Sequence, residues 1–255
     1  VLVFNGEIYN YIELRNELKK KYNFNTKSDT EVLLKCYQEF GERCVDHFIG
    51  MWSFAIWDLN NKKLFLSRDP FGEKPLYFFK NSYGFFFGSE IKFIKSLTNI
   101  HFKKNKKLLH DNLLLGYKST NKTNETFYND ISLLENSHNL SVDLDLRIKK
   151  KQYWKPSLKV KKNMTLDEAS EGTKYHLLNS LKLRMRSDVP IAFCLSGGID
   201  SSLLVSLAKK NLNKDISTFS IIDDDERYNE KDNINKITSD LKINSNLIYL
   251  KDKKN

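Results

Sequence analysis

The clearest chemistry in the chain lies in seven consecutive residues, Ser196-Gly197-Gly198-Ile199-Asp200-Ser201-Ser202, set between a strand-like run and a helix-like one. Paired glycines permit positive φ and let the backbone come close to a ligand. Several amide N–H groups then converge on an anion at a helix N-terminus, where the helix dipole adds attraction. Ser196, Ser201 and Ser202 add hydroxyl donors, and Asp200 is placed to take Mg2+ or to orient the loop. A polyphosphate suits this pattern. The run is not a Walker A loop, because no Lys follows the glycines and the spacing differs. Read without a ligand, it is a Ser/Gly-rich strand-to-helix turn. Thr218-Phe219-Ser220-Ile221 closes the next strand, at the edge where open α/β sheets bind ligands. Ile221 there suits either an adenine ring or plain core packing, and Asp223–Glu226 reads as a solvated loop rather than a metal site. Cys36, Cys44 and Cys194 are too few and too scattered for a disulfide framework or a zinc site, which points to a reducing compartment.

The elements that must position this loop read as β-α-β-α-β: strand 189–195, helix 202–211, strand 216–222, helix 232–242 and strand 246–250. That order predicts a parallel sheet with right-handed crossovers. Ahead of it, Thr165-Leu166-Asp167-Glu168 matches a capping box opening a helix to about Arg186, which buries Tyr175, Leu178, Leu181 and Met185 or their neighbours. The first hundred residues differ. A short strand over 1–4 runs into the turn signal Asn5-Gly6-Glu7. Helical patterns follow over 11–21 and from Ser28-Asp29, good N-cap residues, to Gly41. Strands 51–58 and 63–68 form a hairpin through Asn60-Asn61, and 76–80 pairs with 85–89 before a helix over 90–98. Strands apolar on both faces beside helices predict stacked sheets with helices outside. Residues 99–164 read as a connector carrying a strand or two.

Composition narrows the class. Of 255 residues 40% are hydrophobic, with 17 Phe, 12 Tyr and 3 Trp, too many aromatics for a disordered chain. No apolar run is long enough to span a membrane, and the cytoplasm is the expected compartment. The net charge of +10 concentrates in residues 103–165, which hold 14 basic and 6 acidic side chains. A nucleic-acid footprint is disfavoured, because Lys outnumbers Arg 35 to 7 and no binding module is recognisable.

Ser196–Ser202 resembles the PP-loop of the ATP pyrophosphatases, which cleave ATP between the α- and β-phosphates. FNGEIYNY (Phe4–Tyr11), SDTEVLL (Ser28–Leu34), RDPFGEKPLYF (Arg68–Phe78), GSEIK (Gly88–Lys92) and SGGIDSS occur in that order. Together they resemble the glutamine-hydrolysing asparagine synthetases. The resemblance implies an α+β N-terminal-nucleophile-type sandwich (αββα) over 1–98, the connector, and over 165–255 the start of an α/β PP-loop parallel-sheet domain. It implies that ammonia released from glutamine passes through a tunnel to a second site. There ATP has adenylated aspartate, ammonia displaces AMP, and Mg2+ is required. Asn5 and Gly6 would form the oxyanion hole, and Glu7 and Asp29 would hold glutamine's α-amino group, Asp29 also suiting a helix N-cap. ATP would be held by Cys194, Leu195, Ser196, Gly197, Gly198, Asp200, Ser201, Ser202 and Ile221, with Mg2+ on Asp200. Arg68 and Lys74 read as structural. The implied partners are small molecules (glutamine, ATP, and aspartate or another carboxylate), with a homodimer in the complete protein and neither nucleic acid nor membrane.

The departures matter. The family's nucleophile is a Cys at the mature N-terminus, and this chain has Val1 there. The Arg that binds glutamine's carboxylate and the second synthetase motif are also absent. Phe219-Ser220-Ile221-Ile222-Asp223 replaces the usual FSIGF, and Ile243-Asn244-Ser245-Asn246 a His-rich stretch. A middle portion of such an enzyme, inactive alone, is therefore expected. Three alternatives stay open: a sugar acid as acceptor, a non-catalytic nucleotide-binding relative, and a basic nucleic-acid binder.

Overall fold

The computed structural model describes residues 1–117, 123–160, 163–212 and 215–250. They divide into two compact units, Val1–Leu158 and Lys159–Asn255. The first unit runs β1 (Leu2–Ile8), α1 (Tyr11–Leu18), α2 (Asp29–Phe40), a 3-10 helix (Gly41–His47), β2 (Gly50–Asp58), β3 (Lys63–Arg68), β4 (Tyr77–Lys80), β5 (Phe85–Gly88), α3 (Ile91–Thr98), α4 (Lys106–Leu115), β6 (Ser132–Leu133), β7 (His138–Val142) and β8 (Ile148–Gln152). Two antiparallel sheets result, in the orders β1-β2-β3-β7-β8 and β5-β4-β6.

Side-chain alternation explains the layering. Trp52, Phe54 and Phe65 point from the larger sheet to one face, where Leu14, Leu18, Val32, Leu33 and Cys36 of α1 and α2 cover them. Ala55, Leu66, Leu140 and Val142 point the other way, onto Phe78, Phe85 and Phe87 of the second sheet. That sheet's outer face carries Phe79, Tyr77 and Phe86 against Ile91 and Ile94 of α3. The order helix, sheet, sheet, helix is the αββα sandwich. Each fully buried large side chain contributes about 2–3 kcal/mol of burial free energy.

Two expectations need correction. The strand does not stop at Phe4: β1 continues through Asn5-Gly6-Glu7, pairing Gly6 with Trp52 and Glu7 with Met51. Nor do the described residues of 99–158 stand apart from the first unit: β6 joins the second sheet and β7 and β8 extend the first. Their polarity has a local cause. β8 is an edge strand, exposed along its whole length, and Lys149, Lys150 and Lys151 guard it against further pairing. Part of the basic stripe is thus a solvated edge.

A loop between β3 and β4 locks this unit. Asp69 is fully buried, and its carboxylate accepts from the backbone N–H of Trp52, Phe71, Glu73 and Lys74. Arg68 donates to the carbonyls of Gly72, Lys74 and Leu134, so it is structural; Lys74 takes part here through its backbone. Tyr153 Oη donates to the Arg68 carbonyl, and its ring stacks on Trp52. Asp69→Ala leaves one buried and three partly buried amides without their acceptor. A loss of about 4 kcal/mol in stability is expected, read as a fall of roughly 8–16 °C in the unit's thermal midpoint.

The second unit contains α5 (Leu166–Arg184), β9 (Ala192–Cys194), α6 (Ile199–Leu212), β10 (Ser217–Ile222), α7 (Lys231–Leu241) and β11 (Asn244–Tyr249). Its strands are parallel, in the order β11-β10-β9. The capping box opens α5 as expected: Thr165 Oγ1 accepts from Glu168 N, and Glu168 Oε2 from Thr165 N. Leu181 is buried, whereas Tyr175 is 63% exposed and does not join the core. The core is Leu195, Val205, Ala208, Ile216, Ile222, Ile234 and Leu241. Among the described residues, no helix is long and apolar enough to cross a membrane.

Candidate functional site

In the first unit the site residues gather on β1, where alternation exposes Asn5 and Glu7 while Leu2 and Phe4 pack on the core. Asn5 Nδ2 donates to Ser89 Oγ at 3.0 Å, joining β1 to the residue after β5. Gly6 has φ +154, and a Cβ there would stand 2.2 Å from the Met51 carbonyl oxygen. Gly50 mirrors it, its Cβ position 2.1 Å from the Glu7 carbonyl oxygen. Backbone meets backbone at this crossing, and only glycine fits.

Asp29 lies beside the strand's end. Its Oδ2 accepts from Ile8 N at 2.9 Å. Ser28, not Asp29, caps α2, its side chain accepting from Thr30 N. Asp29 is the first helical residue and ties the helix N-terminus to β1, one residue from Glu7. The fold thus brings Asn5, Gly6, Glu7 and Asp29 to one end of one strand: an amide donor, a backbone N–H and two carboxylates. Such a group can polarise a carbonyl oxygen and hold an ammonium.

Neither cysteine of this unit serves as nucleophile there. Cys36 and Cys44 are fully buried. Burial pushes the Cys36 thiol up to about 12 and raises that of Cys44 as well. Both behave as small core hydrophobes.

In the second unit the strand β9 leads into the loop 195–198 and α6. Leu195 is buried and its N–H reaches the Phe219 carbonyl, anchoring the loop to β10. The loop then folds on its own hydroxyls. Ser196 N donates to Ser201 Oγ, Gly198 N donates to Ser196 Oγ, and Ser202 Oγ donates to the Gly198 carbonyl. Gly197 has φ +82, and a Cβ there would lie 3.1 Å from Glu230 Cβ and 3.2 Å from Asn233 Cβ. The contact with the start of α7 went unread in the sequence, because thirty-odd residues separate the two.

Cys194, Phe219 and Ile221 share the exposed face of this sheet, with Cys194 and Phe219 in register. Ile221 is 65% exposed while Ile222 fills the core, so core packing is not its role. Asp200 is exposed in the first turn of α6. Among the described residues, no cluster of three or more His, Cys, Asp or Glu could hold a metal. One exposed carboxylate at the start of α6 is a single protein ligand, a donor set that fits only a Mg2+ taking most of its ligands from phosphate and water.

Comparison with known proteins matches residues 1–154 to a glutamine amidotransferase domain and residues 172–254 to an asparagine synthase domain. A putative glutamine-hydrolysing asparagine synthetase 2 of Methanocaldococcus jannaschii is 40% identical over 87% of this chain and 42% of its own length. Asparagine synthetase 1 of Bacillus subtilis is 36% identical over 91% of this chain and 36% of its own. The chain thus spans about two fifths of the length of these relatives. Among solved structures, B. subtilis glutamine phosphoribosylpyrophosphate amidotransferase is 11% identical, with a TM-score of 0.44 over 98% of this chain and 70% of that one.

Proposed function

The chain belongs to the glutamine amidotransferase family and continues into an asparagine synthase domain; on that premise we propose that the complete protein makes L-asparagine. The reaction is L-aspartate + L-glutamine + ATP + H2O to L-asparagine + L-glutamate + AMP + PPi. The observation that carries this reading is the pairing, in one chain, of an Asn-Gly strand site with a separate SGGIDSS loop. The first releases ammonia and the second activates a carboxylate.

At the glutamine site, Glu7 and Asp29 hold the α-amino group. When the Cys nucleophile that the family carries, and that these 255 residues do not supply at this site, adds to the amide carbon, Asn5 Nδ2 and Gly6 N–H stabilise the resulting oxyanion. Its collapse expels ammonia, and water then releases glutamate from the thioester. At the second site, the amides and hydroxyls of Ser196–Ser202 cradle the phosphates at the N-terminus of α6. Cys194 and Leu195 line the nucleotide, and Ile221 faces the adenine. Asp200 holds the Mg2+, which when bound offsets phosphate charge. The β-carboxylate of aspartate attacks the α-phosphorus, PPi leaves, and ammonia displaces AMP from the acyl carbon. A cytoplasmic enzyme acting as a homodimer on small molecules completes this reading.

A second acceptor class is favoured by one observation: Ile222-Asp223 and Asn244–Asn246 stand where the family pattern differs. Competition decides between them. With equal aspartate and uronic acid offered to the full-length protein, asparagine is the expected product. Exclusive amidation of the uronic acid replaces the acceptor and keeps the rest.

A further inference from the structure

We infer that Ser89 is a positioning residue for the Asn5 carboxamide, which rests on the reading of Asn5 as an oxyanion donor. Asn5 is exposed on an edge strand, and its terminal torsion is broad and two-fold, so nothing intrinsic fixes which end of the amide faces a substrate. The amide nitrogen carries two hydrogens. Ser89 Oγ takes one of them at 3.0 Å, which holds the carboxamide in place and leaves the other for a developing oxyanion.

Ser89 is well placed for this duty. It follows β5 directly and precedes Glu90, which stands at the N-cap position of α3, whose Ile94 is fully buried. The hydroxyl is therefore rooted in the second sheet and its helix, while Asn5 belongs to the first sheet. A flipped carboxamide would present its oxygen to the oxyanion and repel it. Ser89 thus tethers the Asn5 carboxamide to the second sheet, without touching substrate.

The test is steady-state glutamine hydrolysis by the full-length protein. Ser89→Ala is expected to lower kcat about threefold to tenfold, the worth of one net hydrogen bond, with KM for glutamine unchanged. Ser89→Thr keeps the hydroxyl and is expected to restore kcat. In an Asn5→Ala background, Ser89→Ala is expected to have no further effect, since its only route to the reaction is gone. Unchanged thermal midpoints exclude a merely structural cause. If Asn5→Ala is costly but Ser89→Ala is silent, or if the two losses multiply, the positioning role is overturned and the oxyanion reading stands. If Asn5→Ala itself leaves kcat intact, both fall together.

Discussion

Asn5→Ala in the full-length protein is expected to cut glutamine hydrolysis about 10²- to 10³-fold, the usual cost of removing one oxyanion donor. The loss should fall on kcat, because the donor meets charge that exists only in the transition state. In the proposed site glutamine's α-amino group is held by Glu7 and Asp29, so KM is expected to hold. The residue is exposed and packs on no core, so folding is spared. An ATP-dependent synthesis fed with free ammonia bypasses the lesion and is expected to run at the unmodified rate. A fall in the ammonia-fed reaction would place Asn5 in folding rather than in chemistry.

Gly197→Val is expected to weaken ATP binding about tenfold to hundredfold, measured by calorimetry on the full-length protein. Two costs coincide. The backbone there is left-handed at φ +82, which a β-branched side chain resists, and the new Cβ would press on Glu230 and Asn233 of α7. Relief requires the loop to move, and the loop's amides are the proposed phosphate site. Gly198→Ala is the control. Its Cβ would lie 3.4 Å from Ser196 Oγ, an ordinary contact, and its backbone is not left-handed. Glutamine hydrolysis is expected to survive both changes, since that site lies in the first unit.

Much of this was legible in the residues. Helix α2 announced itself by Ser28 before the apolar spacing Val32, Leu33, Cys36, and by Gly41, whose φ of +59 ends the helix. The β-α-β-α-β order of the second unit followed from alternation of period two and period 3.6. Asn5-Gly6 misled because the same pair that makes a hairpin turn also serves where two backbones touch. Only Gly50, forty-four positions away and opposite the Glu7 carbonyl, distinguishes the cases. Strands β7 and β8 were hidden for a different reason. An edge strand such as Ile148–Gln152 is solvated on several sides, so it carries lysines in place of alternation. The Ser89 contact lay inside a motif whose residues had no assigned duty, and only the stacking of the two sheets brings it to Asn5.

Label transfer tests the central claim most directly. The full-length protein is supplied with amide-15N glutamine, ATP, Mg2+ and aspartate. The expected result is 15N in the side-chain amide of asparagine, with AMP and PPi formed in equal amounts to it. Release of ADP and phosphate, or label that stays in free ammonia while AMP accumulates, would contradict it.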